Sequence, residues 1–258
     1  MKGKNVLIVI LTALLFVSAT VLGVSAVYRV TEVTVHASVV SKEAEIEAEE
    51  LKNRLTEAYE KKSLLFADKS IAEEIFKDFP YFQLKSFKKS PPNRIVVSTT
   101  EDAEVYAVKK TETENAYYIL GADGTVLGIR ENPLNRLDKK PNVLLEGLTV
   151  QGEVGENLNG DEALLPLLKA CEIMSQKLDG LRGNLVEATV MYRSPKTIVS
   201  FQMKEGVTLY VESPEVRATE KAQSAIDKYL SLSIAEKTKG GVYVSEVNGE
   251  VFVYYSEN

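Results

Sequence analysis

Histidine and cysteine are almost absent from this chain, and their scarcity limits its chemistry before any element is placed. The single histidine, His36, leaves no material for a Ser-His-Asp triad and little for a zinc site, since both draw on imidazole. It falls within an alternating segment and reads as a solvated strand residue. The single cysteine, Cys171, excludes an internal disulfide, so stability has to come from buried apolar surface. It lies on the apolar face of a helical pattern, where a free cysteine behaves as a small hydrophobe. Positive charge is also short: 31 Lys and Arg against 37 Asp and Glu leave a net charge of −6, which gives no reason to expect nucleic acid as a partner. Internal repeats and low-complexity tracts are missing. Asp123 and Asp161 stand beside glycines but lack the alternating acidic positions of a calcium loop, and Gly121 to Gly128 lacks the lysine and following helix of a phosphate cradle. No cofactor and no metal are expected. A glycosidase-type carboxylate pair is not excluded, because sequence spacing does not reveal it.

Charge is missing altogether from Val6 to Val27, between Lys2 and Lys4 before it and Arg29 after it. At about 1.5 Å per residue, roughly 20 apolar residues cross the hydrocarbon core of a bilayer, so a transmembrane helix over 6–27 is expected. The flanking lysines then hold residues 1–5 in the cytoplasm and place the remainder outside, giving a single-pass protein of the cell membrane. Val24-Ser25-Ala26 also offers the small residues a signal peptidase accepts, so removal of the segment stays open. The rest of the chain exceeds a typical single core and suggests two domains.

What is present after the apolar run alternates between strands and helices. Val33, Val35, Ala37 and Val39 alternate with polar residues, as in a half-buried strand. Ser41 is placed to cap a helix through about Tyr59, and Ser70-Ile71-Ala72-Glu73 reads as a capping box opening a shorter helix that Pro80 ends. Two strands follow, Tyr81 to Lys88 and Arg94 to Thr100, joined by Ser90-Pro91-Pro92-Asn93. Further on, Ala103 to Lys110, Ala116 to Leu120 and Thr125 to Ile129 read as strands. A helix carries Leu164, Leu168, Cys171, Met174 and Leu178, with Pro166 in its first turn. Strands at Val186 to Tyr192, Thr197 to Met203 and Thr208 to Val211 precede a helix from about Pro214 to Leu232. The chain closes with a hairpin, Gly241 to Val247 and Glu250 to Tyr255, turned at Asn248-Gly249.

The order strand, helix, helix, strand, strand matches the small domain called POTRA. Leu64-Leu65-Phe66-Ala67-Asp68, Phe79-Pro80-Tyr81-Phe82, Pro91-Pro92-Asn93-Arg94-Ile95-Val96-Val97 and Thr100-Glu101 together resemble the bacterial cell-division proteins of the FtsQ and DivIB family. The resemblance extends over nearly the whole chain. It implies an α+β fold with one transmembrane helix, a POTRA domain (β-α-α-β-β) over 28–101, and a mixed α/β sheet domain, the β domain, over 102–258. It also implies a non-enzymatic, membrane-anchored scaffold of the division septum. Its partners would be small division proteins of the FtsB/DivIC and FtsL type, together with septal wall synthases.

Two surfaces are singled out. The terminal strand Val251, Phe252, Val253, Tyr254 and Tyr255 carries apolar residues on both faces with little charge behind it, as a strand-accepting edge would. Lys85, Lys88, Lys89 and Arg94 around the Ser90 to Asn93 turn form a basic edge suited to an acidic partner or anionic lipid heads. Two other readings stay open. One is a membrane-anchored cell-wall enzyme using Glu101, Asp102 and Glu104; the other is a POTRA protein of export or assembly that receives extended substrates.

Overall fold

The computed structural model describes residues 2–111 and 115–257, and within the first helix it describes the side chains of 10–20, 23 and 27. Met1 of the expected cytoplasmic start and Asn258 of the C-terminal tail lie outside the described residues. The fold is α+β with mixed sheets, and the chain divides into two units, Met1–Asp102 and Ala103–Asn258.

The first unit opens with helix α1, Lys2–Val27. The expected membrane span over 6–27 is overturned, because among the described residues no helix is long and apolar enough to cross a membrane. With the span falls the single-pass location, cytoplasmic start and external bulk that were read from it.

Strand β1 (Glu32–Ser38) leads to helix α2 (Lys42–Tyr59), which starts where Ser41 accepts the Ala44 N–H at 3.1 Å. Glu43 and Glu45 occupy its first turn, the end where the helix dipole favours negative charge. A short 3-10 turn, Leu64–Phe66, precedes helix α3 (Lys69–Phe76). The cap of α3 is Asp68 rather than the expected Ser70: its carboxylate accepts the Ser70 N–H at 2.9 Å, and that bond holds the carboxyl below its ordinary range. Strands β2 (Phe82–Ser90) and β3 (Arg94–Glu101) complete a three-stranded sheet of order β1-β3-β2, with β1 parallel and β2 antiparallel to β3. Leu51, Leu55 and Tyr59 of α2, Ala72 and Phe76 of α3, and Ile95 and Val97 of β3 form its core. Tyr59 is fully enclosed; its hydroxyl donates to the Asp68 carbonyl at 2.5 Å and accepts the Ala72 N–H at 3.0 Å, and burial pushes the phenol up to about 12.

The second unit contains strands β4 (Tyr106–Lys109), β5 (Tyr117–Leu120), β6 (Val126–Arg130), β7 (Val143–Glu146), β8 (Val150–Gln151) and β9 (Asn159–Gly160). Helix α4 (Leu164–Lys177) follows, with Pro166 in its first turn, where no intrahelical N–H partner is needed. Next come β10 (Leu185–Arg193), β11 (Lys196–Met203) and β12 (Thr208–Glu212). Helix α5 (Ala218–Ser231) begins later than the expected Pro214, because Arg217 takes a left-handed φ of 55° that interrupts a helix. A one-turn helix α6 (Ile234–Lys237) and strands β13 (Gly241–Val247) and β14 (Glu250–Ser256) close the chain.

Nine of these strands form one sheet of order β14-β13-β12-β11-β10-β7-β4-β5-β6. Leu167, Cys171 and Met174 of α4 and Ala222, Ala225 and Ile226 of α5 cover one face, packed on Val199, Phe201, Leu209 and Val242. The strict side-chain alternation then places Thr189, Ser200, Tyr210, Tyr243 and Tyr254, which pair in register across β10 to β14, on the opposite face.

Candidate interaction surfaces

The terminal hairpin turns on Asn248 and Gly249, whose φ values of 51° and 82° suit a two-residue type I′ turn. From there β14 pairs with β13 from Val247↔Glu250 to Gly241↔Ser256 and ends the sheet. Residues flanking such a turn exchange hydrogen bonds, and the alternation of an antiparallel pair then directs the N–H and C=O groups of Val251, Val253 and Tyr255 to the outer side. Among the described residues no strand pairs with that side.

The two faces of β14 differ. Val251 and Tyr255 pack against the helix-covered core, and the Tyr255 hydroxyl donates to the carbonyls of Glu236 at 3.3 Å and Lys239 at 3.2 Å. Phe252 and Tyr254 lie on the opposite face, 48% and 54% exposed. Tyr254 stacks on Tyr243 with centroids 5.2 Å apart, and Tyr243 stacks on Tyr210 at 4.9 Å, so three rings run inward from the edge across three strands. Charge near the strand is engaged at its ends: Lys239 pairs with Glu257 at 2.8 Å, and the Arg217 guanidinium donates to the Gly249 carbonyl. The strand's middle therefore presents apolar side chains and an open backbone ladder.

No family model and no curated protein matches this chain. What the remaining candidate residues can do rests on their geometry.

The four basic residues are not gathered into one patch. The register sets Lys89 opposite Ile95, on the helix side, and Lys88 opposite Val96, on the other face with Arg94. Lys89 donates to the Leu65 carbonyl at 3.2 Å, Lys85 donates to the Gln83 side chain, and Arg94 holds Glu32 through Nε and Nη2, both at 3.0 Å. A bulge between Leu84 and Ser86 turns Lys85 away from the regular alternation.

Each of the three carboxylates accepts hydrogen bonds from residues of its own unit. Glu101 accepts from the N–H groups of Val40 and Ser41 at 2.7 and 2.9 Å and from the Ser41 hydroxyl at 2.6 Å, which ties β3 to the start of α2. Asp102 accepts from Gln83 at 2.5 Å. Glu104 is buried, pairs with Arg130 at 2.5 Å, and accepts from the Arg136 N–H at 3.0 Å and Asn142 at 3.3 Å. Among the described residues no group of three or more His, Cys, Asp or Glu is placed to hold a metal ion.

Cys171 is fully buried, and desolvation pushes its thiol up to about 12, so it is a thiol and not a nucleophilic thiolate near neutrality. Sequence reading overlooked Lys221, whose ammonium is enclosed under the sheet, donates to the carbonyls of Glu212 and Ser213 at 2.9 Å each, and stands 3.9 Å from Glu246. Burial lowers its pKa. Its place one turn before Ala225 on the apolar stripe of α5 was the available signal.

Proposed function

We propose that this chain is a non-enzymatic scaffold of the bacterial division machinery, of the FtsQ/DivIB type, that holds small division proteins of the FtsB/DivIC and FtsL type on the outer edge of β14. The single observation that carries this reading is the open β14 ladder beside the Tyr210, Tyr243 and Tyr254 stack. An unpaired edge accepts an extended partner through main-chain hydrogen bonds, and neighbouring aromatic side chains supply the affinity. The element order of the first unit, strand, helix, helix, strand, strand, supports the POTRA resemblance.

The test is capture of such a partner by wild type and by Phe252→Lys and Tyr254→Lys variants, alongside thermal unfolding. Both side chains lie outside the helix-covered core, so capture should fall with Phe252→Lys at an unchanged melting temperature, while Tyr254→Lys also gives up its stack on Tyr243 and should lower the melting temperature slightly. Tyr255→Lys should instead lower both, because its hydroxyl and ring anchor the strand. Capture retained in both Phe252→Lys and Tyr254→Lys rejects the β14 site. Depletion of the protein in its own cells should give filaments without septa; altered wall fragments with normal septation would favour the enzyme.

A further inference from the structure

A pocket in the second unit carries positive charge that the β14 reading does not use. It lies where β7 and β10, parallel neighbours paired at Leu144 and Glu187, both begin. The loop before β7 lines it with Asp138, Lys140 and Pro141. The loop between α4 and β10 lines it with Arg182, β10 adds Val186, and Lys204 reaches it from the turn after β11. The space is about 480 Å³, within the range of small-molecule sites.

Both loops are held by the chain itself. The Asn135 N–H donates to the Lys140 carbonyl at 2.8 Å, and the Asn142 N–H donates to the Pro133 carbonyl at 2.9 Å. Across the pocket, the Asn184 side-chain amide donates to the carbonyls of Leu178 and Gly180 at 2.9 Å each, and the Lys204 N–H donates to the Asn184 carbonyl at 2.8 Å. A ligand therefore meets a formed site and is spared the cost of ordering loops.

The charge on the lining does not cancel. Three cations, Lys140, Arg182 and Lys204, stand against one carboxylate, Asp138, which leaves two positive charges over. Asp138 is engaged by Arg182 Nη2 at 2.7 Å and by the Lys140 N–H at 3.0 Å. Burial opposes its charge, but those two donors, with the field of the Lys140 ammonium, hold the carboxyl below its ordinary range, so it remains a single fixed negative charge. The ammonium groups of Lys140 and Lys204 form no ion pair or hydrogen bond among the described residues. Arg182 is the least exposed of the three cations, and its Nε is buried with no acceptor among the described residues, so most of its guanidinium fork is unused.

We propose that this pocket binds a small organic phosphate monoester, with the phosphoryl group among Lys140, Arg182 and Lys204 and the carbon part against Pro141 and Val186. The charge selects the class. A phosphate monoester carries about −1.5 to −2 near neutrality on three acceptor oxygens, which matches the surplus and gives each cation an oxygen. A carboxylate offers one charge and two oxygens. Val186 is 44% exposed, so a carbon group that covers it favours an ester over the free ion.

The test is calorimetric titration of the full chain with phenyl phosphate, benzoate, phthalate and inorganic phosphate. Phenyl phosphate should bind saturably, and each of the others more weakly by about tenfold. Lys140→Gln and Lys204→Gln should each weaken phenyl phosphate by about threefold, and the double variant by about tenfold, at an unchanged melting temperature because neither ammonium holds a partner. Lys196→Gln, at the far end of the β10–β11 hairpin, removes the same charge and should leave the affinity as it is. Absence of saturable binding, benzoate or phthalate binding as tightly, or undiminished affinity in the double variant overturns the proposal. Equal binding of inorganic phosphate overturns it too, since the pocket would then hold a free anion. So does a loss with Lys196→Gln equal to that with Lys204→Gln, since net charge alone would then account for the binding.

Discussion

Tyr59 shows how much one polar atom carries in the first unit. Its hydroxyl bridges a carbonyl at the cap of α3 and an N–H in the first turn of that helix, while its ring lies in the core of α2. Tyr59→Phe keeps the ring and strands both backbone groups, so urea unfolding should show a loss of about 1–3 kcal/mol. A loss within error would mean that water replaces the hydroxyl. Cys171 makes a different prediction through pH. In the unfolded chain the thiol ionises near its ordinary 9.0, whereas the folded chain holds the proton up to about 12. The folded state therefore binds more protons in that window, so this contribution to stability is complete below pH 9 and declines as the pH rises toward 12. Between about pH 9 and 10.5 wild type should lose more stability than Cys171→Ala, by up to about 1.4 kcal/mol per pH unit. Parallel pH curves would show that the thiol titrates freely in the folded protein. Neither role was legible beforehand: Cys171 could be assigned to an apolar helix face from spacing, but Tyr59 needs Asp68 and Ala72, which only the packing of α3 on α2 brings to it.

Elements with strong local signals were legible, and those decided by distant partners were not. Ser41 before an apolar-periodic run marked α2, the Asn248-Gly249 pair marked the last hairpin, and alternation marked β1, because each signal is complete within a few residues. The apparent capping box at Ser70 yielded to Asp68 two residues earlier, since both carry side-chain oxygens and only backbone geometry chooses between them. The expected strand Ala103 to Lys110 shrank to Tyr106–Lys109, because Glu104 is drawn into bonds with Arg130, Arg136 and Asn142 that the local sequence does not announce. For the terminal strand the edge position was foreseeable and the facing of its tyrosines was not. The register assigns Tyr254 to the open side and Tyr255 to the core. Gly147, which ends β7, makes the element-scale prediction. Its φ is +71°, and a Cβ there would stand 2.0 Å from the Val190 carbonyl oxygen of β10. Gly147→Ala should cost at least about 1–3 kcal/mol of left-handed strain, with further loss from parting β7 and β10. Unchanged stability by chemical denaturation would show that β7 shifts without consequence.

At the scale of the molecule, the two units have hydrophobic cores with no residue in common. Leu51 and Leu55 are fully enclosed in the first, and Leu167 and Cys171 in the second. Because burial of apolar surface is the main favourable term in folding, and each core is filled from its own elements, each unit should unfold as its own cooperative transition. Scanning calorimetry should resolve two transitions. Leu51→Ala deletes buried methyl groups from the first core at a cost of about 2–5 kcal/mol, which in a unit of this size is a shift on the order of 10 °C or more. It should move one transition and leave the other in place, while Leu167→Ala should do the reverse. A partner peptide on the β14 edge should then raise only the transition that Leu167→Ala lowers, since a ligand stabilises the unit whose folded form it binds. A single transition that both leucine variants move together would show that the units fold as one body.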